Sequence, residues 1–198
     1  MPPRARPLSP EERRDQLTDV TLRLLRLHGR AVTTRQIAEA AKVAEGTIFR
    51  VFESKEELVD AALARAFEPG DLVARIEGIE RDQPLSARLL LLVALLQQRF
   101  RATFDLMLRV ELVGPPGHLH DSEEAEAWRA RLTLLLADVV GDDADQLAVP
   151  VEHFLHVLRL LTFAGSHPKI ADGRLLTPEQ IVETVLLGLR KRDECCSA

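Results

Sequence analysis

Three helix-start signals fall within the first 58 residues, and their spacing forces the chain there into short helices. Ser9 stands three residues before Glu12, Thr33 three before Gln36 and Ser54 three before Glu57. In such a pair the hydroxyl accepts from the backbone N–H three residues on, and the longer side chain reaches back to the cap. Pro10 suits a first helical turn, because its missing N–H and fixed φ cost nothing there. Helix one is therefore expected over 10–28, with Leu17, Val20, Leu24 and Leu27 on one side and Gly29 as its C-cap. Helix two is expected over 34–41, with Ile37, Ala38 and Ala41 as a narrow apolar face. After the break "KVA" (42–44), "EGTIFRVF" (45–52) is expected as helix three, and helix four then runs to about 67, where "EPGD" stops it. Two short helices joined by a tight turn and packed on a longer first helix make a helix-turn-helix. The same spacing also suits a plain helical hairpin.

Composition decides the fold class. Glycine numbers 10 and proline 11, tyrosine is absent, and Leu, Ala, Arg and Glu dominate, which favours helix over strand. An all-α protein is expected, with an N-terminal three-helix helix-turn-helix domain and a helical effector-binding and dimerisation domain after it. The domain bounds are 1–8 for an arm, 9–68, 69–192, and 193–198 for a tail. Beyond residue 68 helices are expected near 71–81 and over 84–100, 101–113, 121–140, 144–165 and 178–191.

The N-terminus has no signal-peptide core, and the longest apolar run, Leu89–Leu96, is too short to cross a bilayer, so a cytoplasmic protein is expected. Cys195 and Cys196 are adjacent and can build neither a disulfide framework nor a metal cluster. Net charge is −5, but it is uneven: residues 1–58 hold 11 Lys/Arg and 9 Asp/Glu, and the rest hold 15 and 22. The N-terminal part is thus the basic one. No paired Cys/His, G-x-S-x-G or phosphate-binding glycine loop is present, so no enzyme, cofactor or metal is expected. His153 and His156 share a helix face but lack a third ligand. "GHLHDSEE" around His118 and His120 reads as a loop and helix start.

The stretch "VTTRQIAEAAKVAEGTIFRVFESKEEL", residues 32–58, resembles the tetracycline-repressor (TetR) family of bacterial regulators. "TIFRVFESKEEL" looks like that family's recognition-helix ending and the start of its fourth helix. The resemblance implies double-stranded palindromic DNA as a partner, an effector pocket in the C-terminal domain and a homodimer formed mainly by the last two helices. On these positions Thr33, Thr34 and the start of helix two are expected at a DNA phosphate. Gly46 lets backbone approach the duplex, Thr47 and Arg50 face the bases, Arg35 is a further base or phosphate contact, and Lys55 meets a phosphate. Arg50 is the candidate for a bidentate guanine contact. Ala44 stands where the family usually has a capping hydroxyl, Glu45 where a basic or small polar residue is common, and Phe49 where tyrosine is frequent. Arg4 and Arg6 suit a minor-groove arm or a solvated tail.

In the helical domain, Phe100, Phe104, Met107, Leu108, Glu111, Trp128 and Phe154 are pocket candidates, and each also suits plain core. Arg159 stands on an otherwise apolar helix and, if buried, needs an acidic partner or an anionic ligand. The helix from 150 is apolar almost all round, so it is expected to serve both its own core and a second subunit. Candidate seam residues are Val151, Leu155, Leu158, Thr162, Ile181, Val185 and Leu189. The function expected is a transcriptional repressor released by a small, largely apolar effector, against the alternative of a helical protein-interaction module.

Overall fold

The computed structural model describes residues 8–114 and 121–189, and every regular element among them is helical. The order is α1 (Pro10–His28), a 3₁₀ turn (Gly29–Ala31), α2 (Thr34–Ala41), α3 (Glu45–Ile48), α4 (Lys55–Phe67), α5 (Leu72–Glu77) and α6 (Leu85–Arg109). Then come α7 (Glu123–Val140), a second 3₁₀ turn (Gly141–Gln146), α8 (Val151–Ser166) and α9 (Pro178–Leu189). None of these helices is long and apolar enough to cross a membrane. The expectations for Arg4, Arg6, His118, His120, the two cysteines and the end of the last helix lie outside the described residues.

The caps at Ser9 and Thr33 are reciprocal. Glu12 N–H donates to Ser9 Oγ at 3.1 Å and Ser9 N–H to Glu12 Oε2 at 2.6 Å, and Thr33 and Gln36 exchange the same pair of bonds. The Ser54 cap is one-sided. Its Oγ accepts from Glu57 N–H at 3.1 Å, but the Glu57 carboxylate bonds the N–H of Glu53 at 2.6 Å instead of that of Ser54. The buried stripe of α1 is Leu17, Thr21 and Leu25, flanked by Thr18, Val20 and Leu22, whereas Leu27 is exposed. The apolar spacing pointed one position off because Thr21, a polar residue, sits at the centre of the face.

The chain divides into two compact units, Met1–Glu68 with Asp105–Leu119, and Pro69–Phe104 with His120–Ala198. The first unit closes around Leu17, Leu25, Ile37, Ile48, Phe52 and Leu58, and Leu106 and Val110 complete that core. Residues 105–114, expected with the second domain, therefore belong to the first. Arg30 Nε donates to the Val110 carbonyl at 2.7 Å in the same unit. Gly29 has φ 59 and ψ −147, a region open to glycine alone, and a Cβ there would overlap the Arg109 carbonyl oxygen.

In the second unit Leu89, Leu92, Leu136, Phe154, Leu158 and Ile181 form the centre of the core. Two helices were expected over 84–113, but α6 is continuous from Leu85 to Arg109. No glycine or proline interrupts this stretch, and Thr103 turns its hydroxyl onto the Arg99 carbonyl at 3.0 Å, so nothing breaks the ladder. Glu111 then takes a left-handed conformation, φ 57, and ends it. The helix expected from 144 starts at Val151, behind Pro150 as N-cap; Gly141–Gln146 is a 3₁₀ turn. Arg88 is buried at the end of α7, where its guanidinium donates to the Val139 carbonyl at 2.8 Å and the Val140 carbonyl at 3.3 Å and pairs with Asp143. It supplies the donors that the last turn of α7 lacks.

Two outcomes follow from the first unit. Gly29→Ala should lower unfolding free energy by about 3 kcal/mol, read by denaturant titration, since both backbone strain and a clash with main chain are introduced. Hydrogen bonds from Arg14 and from the Glu53 N–H hold the Glu57 carboxyl below its ordinary value of 4.5. A depressed folded-state value adds stability that is present above pH 4.5 and disappears as pH falls through the folded value. Melting temperature should therefore drop on acidification below pH 4.5, and Glu57→Gln should shallow that drop; an unchanged slope would remove Glu57 as its source.

Candidate nucleic-acid interface

The turn between α2 and α3 is short because Lys42 takes φ 56, ψ 45, and its N–H closes on the Ala38 and Glu39 carbonyls. The side chain of Gln16 donates to the Ala41 carbonyl at 3.3 Å, so α1 caps the end of α2 as well. Ala44 is the N-cap of α3 and supplies no side-chain hydrogen bond. Only Glu45–Ile48 is regular helix; tighter bonds, Arg50 N–H to Thr47 at 3.3 Å and Val51 N–H to Ile48 at 3.0 Å, carry the chain on to Phe52. The helix expected over 45–52 is thus one regular turn with a compact continuation.

A four-residue helix without a cap has no stability of its own. Ile48 and Phe52 anchor it by full burial. Arg14 of α1 does the rest: its guanidinium donates to the Val51 carbonyl at 3.1 Å, pairs with Glu57 at 2.9 Å and lies 4.2 Å over the Phe52 ring. Arg14 went unnoticed in the sequence because it reads as one more charge on the polar side of α1. Its three partners are 37 to 43 residues away and no local spacing announces them. A second α1–α4 tie joins Arg65 to Asp15 at 2.5 Å and Asp19 at 3.0 Å.

The candidate DNA-contact residues fall into two groups. Gly46 and Arg50 are exposed, Thr47 and Lys55 are half-buried and Arg35 on α2 is exposed. Arg35, Arg50 and Lys55 form no hydrogen bond or ion pair among the described residues, so their charges are available. A Cβ at Gly46 would have nothing within 4 Å, so the protein's own packing does not require glycine there. Phe49 is 51 % exposed, an unusual position for a phenylalanine beside a free arginine. The two threonines are already engaged. Thr33 spends its hydroxyl on the α2 cap, and the Thr34 hydroxyl donates to Glu45. Glu45 is thereby held against α2.

The remaining candidates are dispersed. Phe100, Trp128 and Phe154 pack in the second core, and Phe104 stacks near Phe100, with Phe163 edge-on to both. Met107, Leu108 and Glu111 belong to the first unit, with Leu108 65 % exposed, so the expected single pocket face is divided. Arg159 is half-buried. Of the seam candidates, Leu155, Leu158, Thr162, Ile181 and Val185 are enclosed by their own chain and have no face left for a second subunit. Val151 is half-buried, and the side chain of Leu189 lies outside the described residues. The exposed apolar side chains on α8 and α9 are instead Leu160, Phe163 and Leu187.

Residues 17–62 match the family described as bacterial regulatory proteins, tetR family. The chain is 49 % identical over 59 residues to the HTH-type transcriptional repressor KstR of Rhodococcus jostii, which is 29 % of this chain and 28 % of that protein. It is 42 % identical over 65 residues to the HTH-type transcriptional regulator YvkB of Bacillus subtilis, covering 32 % of this chain and 34 % of that one. These alignments span about a third or less of the relatives' length. The fold match is longer. A tetR-family transcriptional regulator from Streptomyces coelicolor superposes with TM-score 0.58 over 90 % of this chain and 79 % of its own, at 24 % identity. The fatty acid degradation regulator FadR of Bacillus halodurans gives 0.58 over 94 % and 100 %, at 20 % identity. The chain thus matches the tetR family model over residues 17–62 and shares its fold nearly end to end with solved tetR-family structures.

Proposed function

We propose that the protein is a sequence-specific DNA-binding transcriptional repressor that works in the cytoplasm as a homodimer on a palindromic operator and is released by a small effector. The observation that carries this reading is the set of exposed Gly46, Phe49 and Arg50 with half-buried Thr47 at α3, held by buried anchors and by Arg14. Arg50 suits a bidentate contact to a guanine edge, and the Phe49 ring suits a thymine methyl. Arg35 and Lys55 suit phosphates on either side, fixing the register without reading sequence. The engaged hydroxyls of Thr33 and Thr34 leave backbone N–H groups at the start of α2 as the phosphate donors. For the dimer, Leu160, Phe163 and Leu187 replace the enclosed residues as the proposed seam. A two-fold there sets two reading heads about one DNA turn apart, roughly 34–36 Å. An effector lowers DNA affinity only if it binds more tightly to the conformer in which that spacing is lost.

Selection of duplexes from a random library should enrich a palindrome. Arg50→Ala should relax one position in each half-site and cost about 1–3 kcal/mol per contact. Gly46→Ala should keep the melting temperature and weaken operator binding at least tenfold, because a methyl there meets only the duplex. No enrichment by a folded dimer would reject the DNA reading in favour of a protein-interaction module. A monomer mass by light scattering would reject the two-fold operator.

A further inference from the structure

Between α7 and α8, inside the second unit, lies a cavity of about 130 Å³ lined by Thr133, Leu136, Glu152, Leu155, His156 and Arg159. Leu136 and Leu155 are enclosed and form its apolar floor. Glu152, His156 and Arg159 follow one another at i, i+4 and i+7 on a single side of α8, so the polar wall is a line. The ends of that line carry opposite charge, and their backbones stand about 10 Å apart at about 1.5 Å per residue. Arg159 is half-buried and forms no hydrogen bond or ion pair among the described residues, neither with Glu152 nor with any other carboxylate. A guanidinium withdrawn from water without a counter-charge is costly, and an anion that enters beside it removes the cost. Loss of hydration already lowers the pKa of the Arg159 guanidinium from its ordinary value. The Thr133 hydroxyl proton is committed to the Arg129 carbonyl at 2.9 Å, which leaves Arg159 and His156 as the donors facing the cavity.

We propose that this cavity binds a small monocarboxylate, with the carboxylate on Arg159, the apolar body on Leu136 and Leu155, and Glu152 selecting against a second negative charge. The volume sets the size: an apolar cavity of about 150 Å³ takes a benzene ring, so an acid of about that bulk fills this one with its charged group at the rim. The site deepens the regulator reading and rests on it only in calling the ligand an effector. Neither Phe100 nor Phe104 takes part, so this is a different place from the aromatic cluster between α6 and α8.

The test uses benzoate as probe and the full chain, by titration calorimetry without DNA. One benzoate should bind per chain, and benzamide, its uncharged counterpart, should bind at least tenfold more weakly. Arg159→Met should lower benzoate affinity at least tenfold, with Arg159→Lys between the two. Terephthalate should bind more weakly than benzoate to the wild type, and Glu152→Gln should narrow that gap. Absence of saturable benzoate binding, equal binding of benzamide, or full affinity in Arg159→Met would each overturn the site. The benzamide comparison needs no variant, so a fold defect in Arg159→Met leaves the proposal open to refutation. Duplex selection separates the two readings: a palindrome without benzoate binding overturns the cavity alone, and benzoate binding without a palindrome overturns the regulator alone.

Discussion

The surface proposed to read DNA depends on one guanidinium. Arg14 reaches from α1 to the carbonyl of Val51, the ring of Phe52 and the carboxylate of Glu57, and so binds the end of α3 and the start of α4 to the same point. The four-residue α3 contributes no helix stability, and Ala44 gives it no cap. Its orientation is therefore a property of its surroundings. Two buried side chains, Ile48 and Phe52, set its depth, and Arg14 sets its direction. The Glu57 carboxylate shares itself between Arg14 and the Glu53 N–H, so the cap of α4 is built together with the clasp rather than beside it.

What could be read from sequence was local. Ser9–Glu12 and Thr33–Gln36 are three-residue relations between side chain and backbone, and both form as their spacing implies. At Ser54–Glu57 the same local rule met a long-range competitor: Arg14, 43 residues earlier, drew the carboxylate aside. The α1 face shows a different failure. Hydropathy points to Leu27, but the packed face runs through Thr21, whose hydroxyl has no partner among the described residues. α6 runs unbroken from Leu85 to Arg109 where two helices were expected, since nothing in the sequence between them stops a helix.

For the candidate sites, residue type was legible and accessibility was not. Arg50 and Gly46 are exposed, as their place in the family pattern implies. Leu155, Leu158, Ile181 and Val185 were equally plausible on either side of their helices, because a helix apolar all round carries no mark of which side faces its own core. Only packing separates them from Leu160 and Leu187. Glu45 illustrates the reverse: a residue that looks unfavourable next to a phosphate is held by Thr34 and becomes part of the joint between α2 and α3.

The first core takes Leu106 and Val110 from a segment that follows residue 68 by nearly forty positions, and Arg30 and Gly29 lean on the same segment. On a ribosome that segment is still unmade, or still in the exit tunnel, when the N-terminal helices emerge. The helix-turn-helix half of its core can gather early, but its last wall arrives only after most of α6 has been synthesised. A protein that ended at residue 68 would leave the first core without Leu106 and Val110. The sequence-local helix-turn-helix is thus the product of a non-local closure, and completion of its fold is timed by the length of chain that separates its two parts.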